Sequence, residues 1–389
     1  MADTEHRPDL TAAAARLTPE LAARAGEMET ARRLPADLAR KLAEAGIFRM
    51  VTPSHLGGLE CSPREIVETV AQLAEANASA GWCAMIAATT ALNAAYMDRA
   101  TAEEIYADPL AITGGVFAPM GKAQEEGDGY RVTGRWQWGS GSANCTWLCG
   151  GAMVFRDGDL VRTADGAPVS RMMIFPASEA ELIDTWQVMG LQGTGSGDIA
   201  VSDVFVPRAR SVSLTHDRPV AEGALYTFPA FGLLALGVSA VAMGNARGAL
   251  DSFRDLAQAK GSQGSSRKLA ERPTVQAAYA ELEAKWRAAR AYLLAEIDET
   301  WAVAQAEGAI PLARRAALRL ACTHMTRTGA EIARACYDLG GGAALFLSSP
   351  LQRQFRDAHA ITQHIVTAPA TLELMGRIEM GLPTDGAMV

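Results

Sequence analysis

The hydrophobic period of this chain changes twice along its length, and that succession narrows its architecture more than any single motif. Up to about residue 110 the spacing is helical. Leu10 to Glu29 is alanine-rich, and Pro35 to Ala45 carries Leu38, Leu42 and Ala45. Ser62-Pro63-Arg64-Glu65 has the form of a capping box, with proline at the first helical position ahead of Ile66, Val70 and Leu73. A further helix rich in Ala and Met is expected from about Ser79 to Met97. From Gly129 the period falls to two. Tyr130, Val132, Gly134, Trp136 and Trp138 alternate with Arg131, Thr133, Arg135 and Gln137, and Trp147–Phe155, Arg171–Phe175 and Ile199–Val206 read as further strands. After Pro229 helical spacing returns in four long segments: Leu233–Ala257, Thr274–Glu307, Pro311–Leu339 and Pro350–Met380. The expected organisation is a multi-domain α+β protein. A helical domain spans 1–111, a small all-β domain 112–222, and an antiparallel four-helix bundle 223–389.

With 389 residues, 49% of them hydrophobic, the chain has material for two or three cores. A net charge of −8 argues against nucleic-acid binding, which needs a clustered basic footprint. No uninterrupted apolar run approaches the roughly 20 residues that span a bilayer. The polar start, Met1-Ala-Asp-Thr-Glu-His6, lacks a signal-peptide pattern, so a cytoplasmic location is expected. Cys61, Cys83, Cys145, Cys149, Cys322 and Cys336 form no C-x-x-C pair, and no histidine stands at ligand spacing from a cysteine pair. They are expected to be buried free thiols rather than metal ligands.

One stretch stands out within the β region. Val188 to Pro207 places Gly190, Gly193, Gly195 and Gly197 ahead of an alternating strand, in which Ile199 and Val201 interleave with Ala200 and Ser202. Glycines at this density let a backbone come close to something and aim its N–H groups at it. The order is wrong for a dinucleotide fingerprint, where the strand precedes the glycines and a helix follows.

Helical domain, small β domain and four-helix bundle, with these motifs in this order, resemble the acyl-CoA dehydrogenase superfamily of flavoproteins over essentially the whole chain. The resemblance implies that the central domain is a small β-barrel. It also implies that Gly134-Arg-Trp-Gln-Trp138-Gly-Ser140 is the strand whose tryptophan and hydroxyl touch the flavin ring, with Val188–Pro207 as the second flavin-side signature. Trp138, Gly139, Ser140, Thr194 and Ser196 are then the expected cofactor contacts. Gly340-Gly341-Gly342 holds the place of a glycine turn that approaches a neighbouring subunit's flavin, and Arg267 that of an arginine on flavin phosphates. The Phe-Gly that usually accompanies that arginine is absent. An aromatic wall and a few hydroxyl or amide partners are what a flat ring with polar edges requires. If the strand continues, Trp138 and Ser140 share a face.

Dehydrogenation in this superfamily needs a glutamate within reach of a substrate proton. The place of that glutamate after Arg356-Asp357 falls on Ile365, and the position before it on His364. Its other home, on the first bundle helix near Leu234, is also empty, since no glutamate occurs from Gly223 to Ala270. The tail instead resembles the two-component flavin-dependent monooxygenases of the superfamily, which carry a histidine eight residues after that arginine, as His364 follows Arg356. That resemblance implies an enzyme hydroxylating a small organic, aromatic or heteroaromatic substrate with O₂ and reduced flavin (FAD favoured, FMN possible) delivered by a separate reductase. It also implies a homotetramer or homodimer. His364 is the expected proton-exchanging residue, since imidazole titrates near neutrality. Ser140 is the expected hydrogen bond to the flavin side, and Asn93 the expected polar group on the substrate side. His359, about 140° round a helix from His364, cannot line the same pocket and reads as structural or solvated. Two alternatives stand beside this reading: a dehydrogenase oxidising an acyl thioester with an unusual base, and a non-catalytic flavin-binding member.

Overall fold

The structure is a computed structural model that describes residues 9–261, 267–386 and 389. Six helices open the chain: α1 (Leu10–Ala23), α2 (Ala25–Ala31), α3 (Ala36–Glu44), α4 (Pro63–Ala76), α5 (Ala78–Thr90) and α6 (Arg99–Tyr106). The capping box of α4 is formed. Glu65 Oε2 accepts from the Ser62 N–H at 2.8 Å, and the Ser62 hydroxyl accepts from the Glu65 N–H. Asn77 caps α5 in the same manner, its side chain accepting from the Ala80 N–H. The alanine-rich Leu10–Glu29 segment breaks at Arg24 into α1 and α2, and the helix expected to run on to Met97 tightens into a 3₁₀ turn over Ala91–Tyr96.

The middle of the chain forms one eight-stranded sheet: β1 (Thr113–Glu126), β2 (Gly129–Trp136), β3 (Trp147–Arg156), β4 (Asp159–Leu160), β5 (Ser170–Pro176), β6 (Glu181–Ile183), β7 (Asp198–Pro207) and β8 (Ser211–Val212). The pairing order is β6-β7-β2-β1-β3-β5-β8, with β4 on β3, so β6 and β8 end the hydrogen-bonded path. Strands β1 and β3 run parallel, and the other pairs run antiparallel. Strand β1 lacks a clear alternating pattern in sequence. It is interrupted by a register shift between Val116 and Gly121, which scrambles a period of two. Trp136 is the fully buried centre of the sheet's core and donates Nε1–H to the Gly151 carbonyl at 2.7 Å. Its ring lies against Gly150, where an added Cβ would stand 2.3 Å from Cε2.

The C-terminal helices are α7 (Ala224–Thr227), α8 (Ala230–Ala259), α9 (Pro273–Glu307), α10 (Leu312–Gly340), α11 (Pro350–Ile361) and α12 (Pro369–Glu379). Helix α8 is apolar on nearly every side because α4, α5, α10 and α11 all pack against it. Gly244 lets its backbone close on α4, where a Cβ would come within 2.1 Å of the Ala71 carbonyl oxygen. By length and composition α8 could cross a membrane, yet 89% of its apolar window is buried inside the protein.

The last expected helix, Pro350–Met380, is two helices. Pro369 begins α12, and the residue before a proline is pushed out of the helical region, so Ala368 is extended with ψ 162°. A 3₁₀ turn over Ile365–Thr367 fills the gap, and His364 caps it in an extended conformation. His364 therefore sits in a turn and not on a helix face, which changes what its ring can meet.

Candidate active site

Strand β2 stops at Trp136, two residues short of Trp138, so the expected shared face of Trp138 and Ser140 does not exist. Trp138 instead takes a left-handed backbone (φ 70°) and leaves its indole 61% exposed, while Ser140 turns inward and is buried. A bulky side chain at positive φ is strained, and such strain persists only where the surroundings enforce it. Enforcement comes from the glycine signature: Gly139 N–H donates to the Gly197 carbonyl at 2.9 Å and Gly141 N–H to that of Thr194 at 2.8 Å.

The four glycines of that signature bring the loop against the protein itself. An added Cβ at Gly190 would meet the Arg356 carbonyl oxygen at 2.2 Å, at Gly193 Met28 and Ser79, at Gly195 the Arg32 carbonyl, and at Gly197 that of Ile183 at 2.4 Å. The loop is thus clamped between α2, α5, β6 and α11. Asp357 Oδ1 accepts from the Leu191 N–H at 2.6 Å, and Arg356 reaches the Met189 carbonyl and the Glu29 carboxylate.

Clamping gathers a line of hydroxyls. Trp82 Nε1–H, from α5, donates to Ser140 Oγ at 3.0 Å; Ser140 and Ser196 hydroxyls lie 2.6 Å apart; Ser196 and Thr194 hydroxyls lie 2.6 Å apart; Thr194 Oγ1 reaches the Leu191 carbonyl at 2.8 Å. All four side chains are buried. Each hydroxyl has one proton, and Trp82 only donates. With Thr194 donating to Leu191, the protons must run Ser140 to Ser196 to Thr194, and Ser140 offers outward only a lone pair. The reverse polarity frees the Ser140 proton at the loss of one bond to the Leu191 carbonyl, which keeps a second donor in Trp186 Nε1 at 3.0 Å. The line can therefore present either an acceptor or a proton at Ser140.

His364 joins this group through Trp82, the two rings meeting edge to face with centroids 5.5 Å apart. Its Nδ1 accepts from the Val366 N–H at 3.4 Å, which places the ring proton on Nε2. Burial, with the nearby Arg319 guanidinium acting in the same direction, lowers the imidazole pKa to about 4. Proton exchange near neutral pH is the expectation from sequence. In this setting the ring is neutral there and carries its proton on Nε2. Arg319, buried and bonded to the Val366 carbonyl at 3.0 Å, holds the same turn. Neither Trp82 nor Arg319 is marked by sequence reasoning. Trp82 is the sole indole in an otherwise apolar helix, a pattern that reads as core.

The other expected residues fall elsewhere. Asn93, buried in the 3₁₀ turn after α5, borders a separate cleft with Cys149 and Tyr106. Arg267 adjoins Lys268, which bridges Gly261, while the neighbouring Lys260 Nζ donates to the Gly340 carbonyl at 3.1 Å ahead of the Gly341–Gly342 turn. The glycine turn precedes α11, which separates it from His364 by about 18 Å of helix. Gly341 has φ 53°, and among the described residues no atom lies within 4 Å of a Cβ added at either glycine. His359 packs edge to face on Phe355 with centroids 4.6 Å apart, as a structural residue would. None of the six cysteines forms a disulfide; five are buried and Cys145 is partly so.

Helical domain, sheet, long helices and a buried line of hydroxyls beside an exposed indole define an acyl-CoA dehydrogenase fold. The models of the acyl-CoA dehydrogenase N-terminal and C-terminal domains match residues 4–108 and 236–369. The chain belongs to that family and, within it, to the flavin-dependent monooxygenases. It is 32% identical to the indole-3-acetate monooxygenase of Pseudomonas putida over 92% of this chain and 90% of that one. It is 31% identical to the oxygenase component of the FADH(2)-dependent resorcinol hydroxylase of Rhizobium sp., over 93% and 91%. The crystal structure of the HsaA monooxygenase from M. tuberculosis superposes with a TM-score of 0.89 at 31% identity, covering 98% of this chain and 99% of that one.

Proposed function

We propose that this chain is the oxygenase component of a two-component system that hydroxylates an aromatic or heteroaromatic substrate, with reduced flavin supplied by a separate reductase. When bound, the reduced flavin supplies the two electrons that split O₂, one oxygen atom passing to the substrate and the other leaving as water. The residues present fit such a ring. Trp138 offers an exposed flat wall, and Ser140 offers an uncharged, polarity-switchable partner at its edge. FAD is favoured over FMN, a preference supported by the FADH(2)-dependent resorcinol hydroxylase among the relatives. Gly139, Thr194 and Ser196 hold Ser140 in place. His364 presents Nε2–H as a donor and, with Trp82 and Arg319, covers the inner end of the hydroxyl line. Arg267, Gly341 and Gly342 form a second surface, suited to the ring of a neighbouring copy in a homotetramer or homodimer. Exposed Leu345, Phe346 and Leu347 beside them support that assembly.

The observation that carries the reading is a buried hydroxyl line next to a neutral imidazole in a chain without the dehydrogenase base. Ile365, at the glutamate's place, is 79% exposed, and α8 contains no glutamate. The test supplies the protein with reductase-generated FADH₂ or FMNH₂, ¹⁸O₂ and a phenol or indole. One ¹⁸O atom per product molecule is expected. Complete diversion of oxygen to hydrogen peroxide, together with bleaching of oxidised flavin by an acyl-CoA, would move the chain to the dehydrogenases; diversion without bleaching would leave a non-catalytic flavin binder.

A further inference from the structure

The Leu191 carbonyl oxygen, on which the hydroxyl line converges, has more donors than lone pairs. It receives the Thr194 hydroxyl at 2.8 Å, the Trp186 Nε1–H at 3.0 Å and the Thr194 backbone N–H at 3.1 Å. A carbonyl oxygen has two lone pairs, so one of the three donors is surplus. Two of them are fixed. The backbone N–H closes the 3₁₀ turn over Gln192–Thr194, and the half-buried indole packs against the main core. Arg32 holds the indole's own backbone, reaching the Trp186 carbonyl at 3.1 Å while it pairs with Asp184. Leu191 is anchored as well, since Asp357 accepts its N–H at 2.6 Å. Only the Thr194 hydroxyl proton can leave by rotation about a single bond, and it is the dispensable donor.

This surplus at the Leu191 end sets the balance at the Ser140 end. While Thr194 donates to Leu191, Ser196 donates to Thr194 and Ser140 to Ser196, so Ser140 faces outward with a lone pair. When Thr194 turns to Ser196 instead, three hydroxyls rotate, no proton leaves its oxygen, and Ser140 faces outward with its proton. The Leu191 carbonyl then still has the indole and the backbone N–H, one for each lone pair. Without the indole, the same reversal would leave a buried lone pair unserved, and the line would be held in its first arrangement. Trp186 therefore governs Ser140 from three hydrogen bonds away.

We propose that Trp186 is a positioning residue that keeps the hydroxyl line reversible, so that Ser140 can match a flavin in either redox state. The central-ring nitrogen of a flavin accepts a hydrogen bond when the ring is oxidised and carries hydrogen when it is reduced. A lone pair at Ser140 suits the reduced ring, and a proton suits the oxidised one. An oxygenase that takes up reduced flavin and releases it oxidised meets both states in every turnover. The inference rests on the flavin partner assigned to Ser140 above; it does not depend on which substrate is hydroxylated.

The test is anaerobic binding of oxidised and of photoreduced FAD and FMN to the full-length protein, together with the reduction potential of the bound flavin. In Trp186→Phe the ratio of the oxidised to the reduced dissociation constant should rise roughly fivefold, the worth of one hydrogen bond. The two-electron potential of the bound flavin should rise with it by about 20 mV. Thr194→Val acts in the opposite sense, because it strands the Ser196 proton whenever Ser140 donates inward, and its ratio should fall by a similar factor. A merely structural role would weaken both redox states alike and move neither ratio nor potential. An unchanged ratio in Trp186→Phe, which would mean that water replaces the indole N–H, overturns the inference, and so do shifts of the same sign in the two variants. Should Trp186→Phe fail to fold, the benzothienyl isostere of tryptophan at position 186 keeps the shape without the N–H and is read in the same way. Ratios that shift as expected in a protein that hydroxylates nothing leave this inference standing and sink the oxygenase reading. If wild type binds neither flavin, both fall.

Discussion

Asp357, buried on α11, accepts a 2.6 Å hydrogen bond from the backbone N–H of Leu191, and this bond joins the C-terminal helices to the glycine loop that carries Thr194 and Ser196. Leu191 itself has φ 53°, a costly conformation for a leucine, so the loop needs an external tie at that residue. Burial outweighs the Leu191 bond and the nearby Arg353 and Arg356, and raises the Asp357 carboxyl to about 6.

A carboxyl whose folded pKa is raised contributes stability below its unfolded value, and that contribution is lost as pH rises through the folded value. Asp357→Asn keeps an oxygen for Leu191 and removes the titration. Between pH 4 and 7, wild type should therefore lose roughly 3 kcal/mol relative to Asp357→Asn, since each tenfold difference in proton affinity between the folded and unfolded chain is worth about 1.4 kcal/mol. Urea denaturation across this range measures it, and parallel curves for the two proteins would show the carboxyl to be hydrated.

His364 works in the opposite sense. Its folded pKa of about 4 lies below the ordinary 6.5, so its contribution is present above 6.5 and lost as pH falls through 4. Asn caps helical turns well, so His364→Asn should keep the Val366 bond and lose this acid sensitivity. With the imidazole gone, hydroxylation should fall on the order of 10²-fold, with more of the consumed O₂ released as hydrogen peroxide. Because the ring is neutral throughout, the wild-type rate should show no inflection from this residue between pH 5.5 and 8. An inflection near 6.5 that disappears in His364→Asn would contradict the burial argument.

Ser140→Ala removes the acceptor of the buried Trp82 N–H and should destabilise the protein by about 1–3 kcal/mol. Trp82→Phe removes the donor instead. If the two act through their shared bond, the double variant should be less destabilised than the sum of the singles in chemical denaturation. Strict additivity would mean that solvent replaces either partner.

Gly150→Ala tests the sheet core. The new Cβ would overlap the Trp136 ring, and overpacking of a filled core costs about 1–3 kcal/mol. It should lower the melting temperature by the few degrees that such a loss implies in a thermal scan, and an unchanged melting temperature would show that the Trp136 ring shifts freely.

Elements with local causes are legible in the sequence: the Ser62–Glu65 capping box, strands β2, β3, β5 and β7, and the long α8, α9 and α10. Breaks with partly distant causes are less so. The turn over 362–368 is hidden despite Pro369, because apolar spacing continues through it. The end of β2 is unreadable, because Trp138 leaves the strand only where the glycine loop meets it.

The sequence alone determined the order of helical and β regions and the lack of any glutamate from Gly223 to Ala270, since periodicity and residue identity are local properties. Tertiary structure decided that Trp82 joins Ser140 to His364, that burial keeps His364 neutral, and that Asn93 opens on a different cleft. Each of these depends on which groups water is removed from, and desolvation is set by segments far apart in the chain.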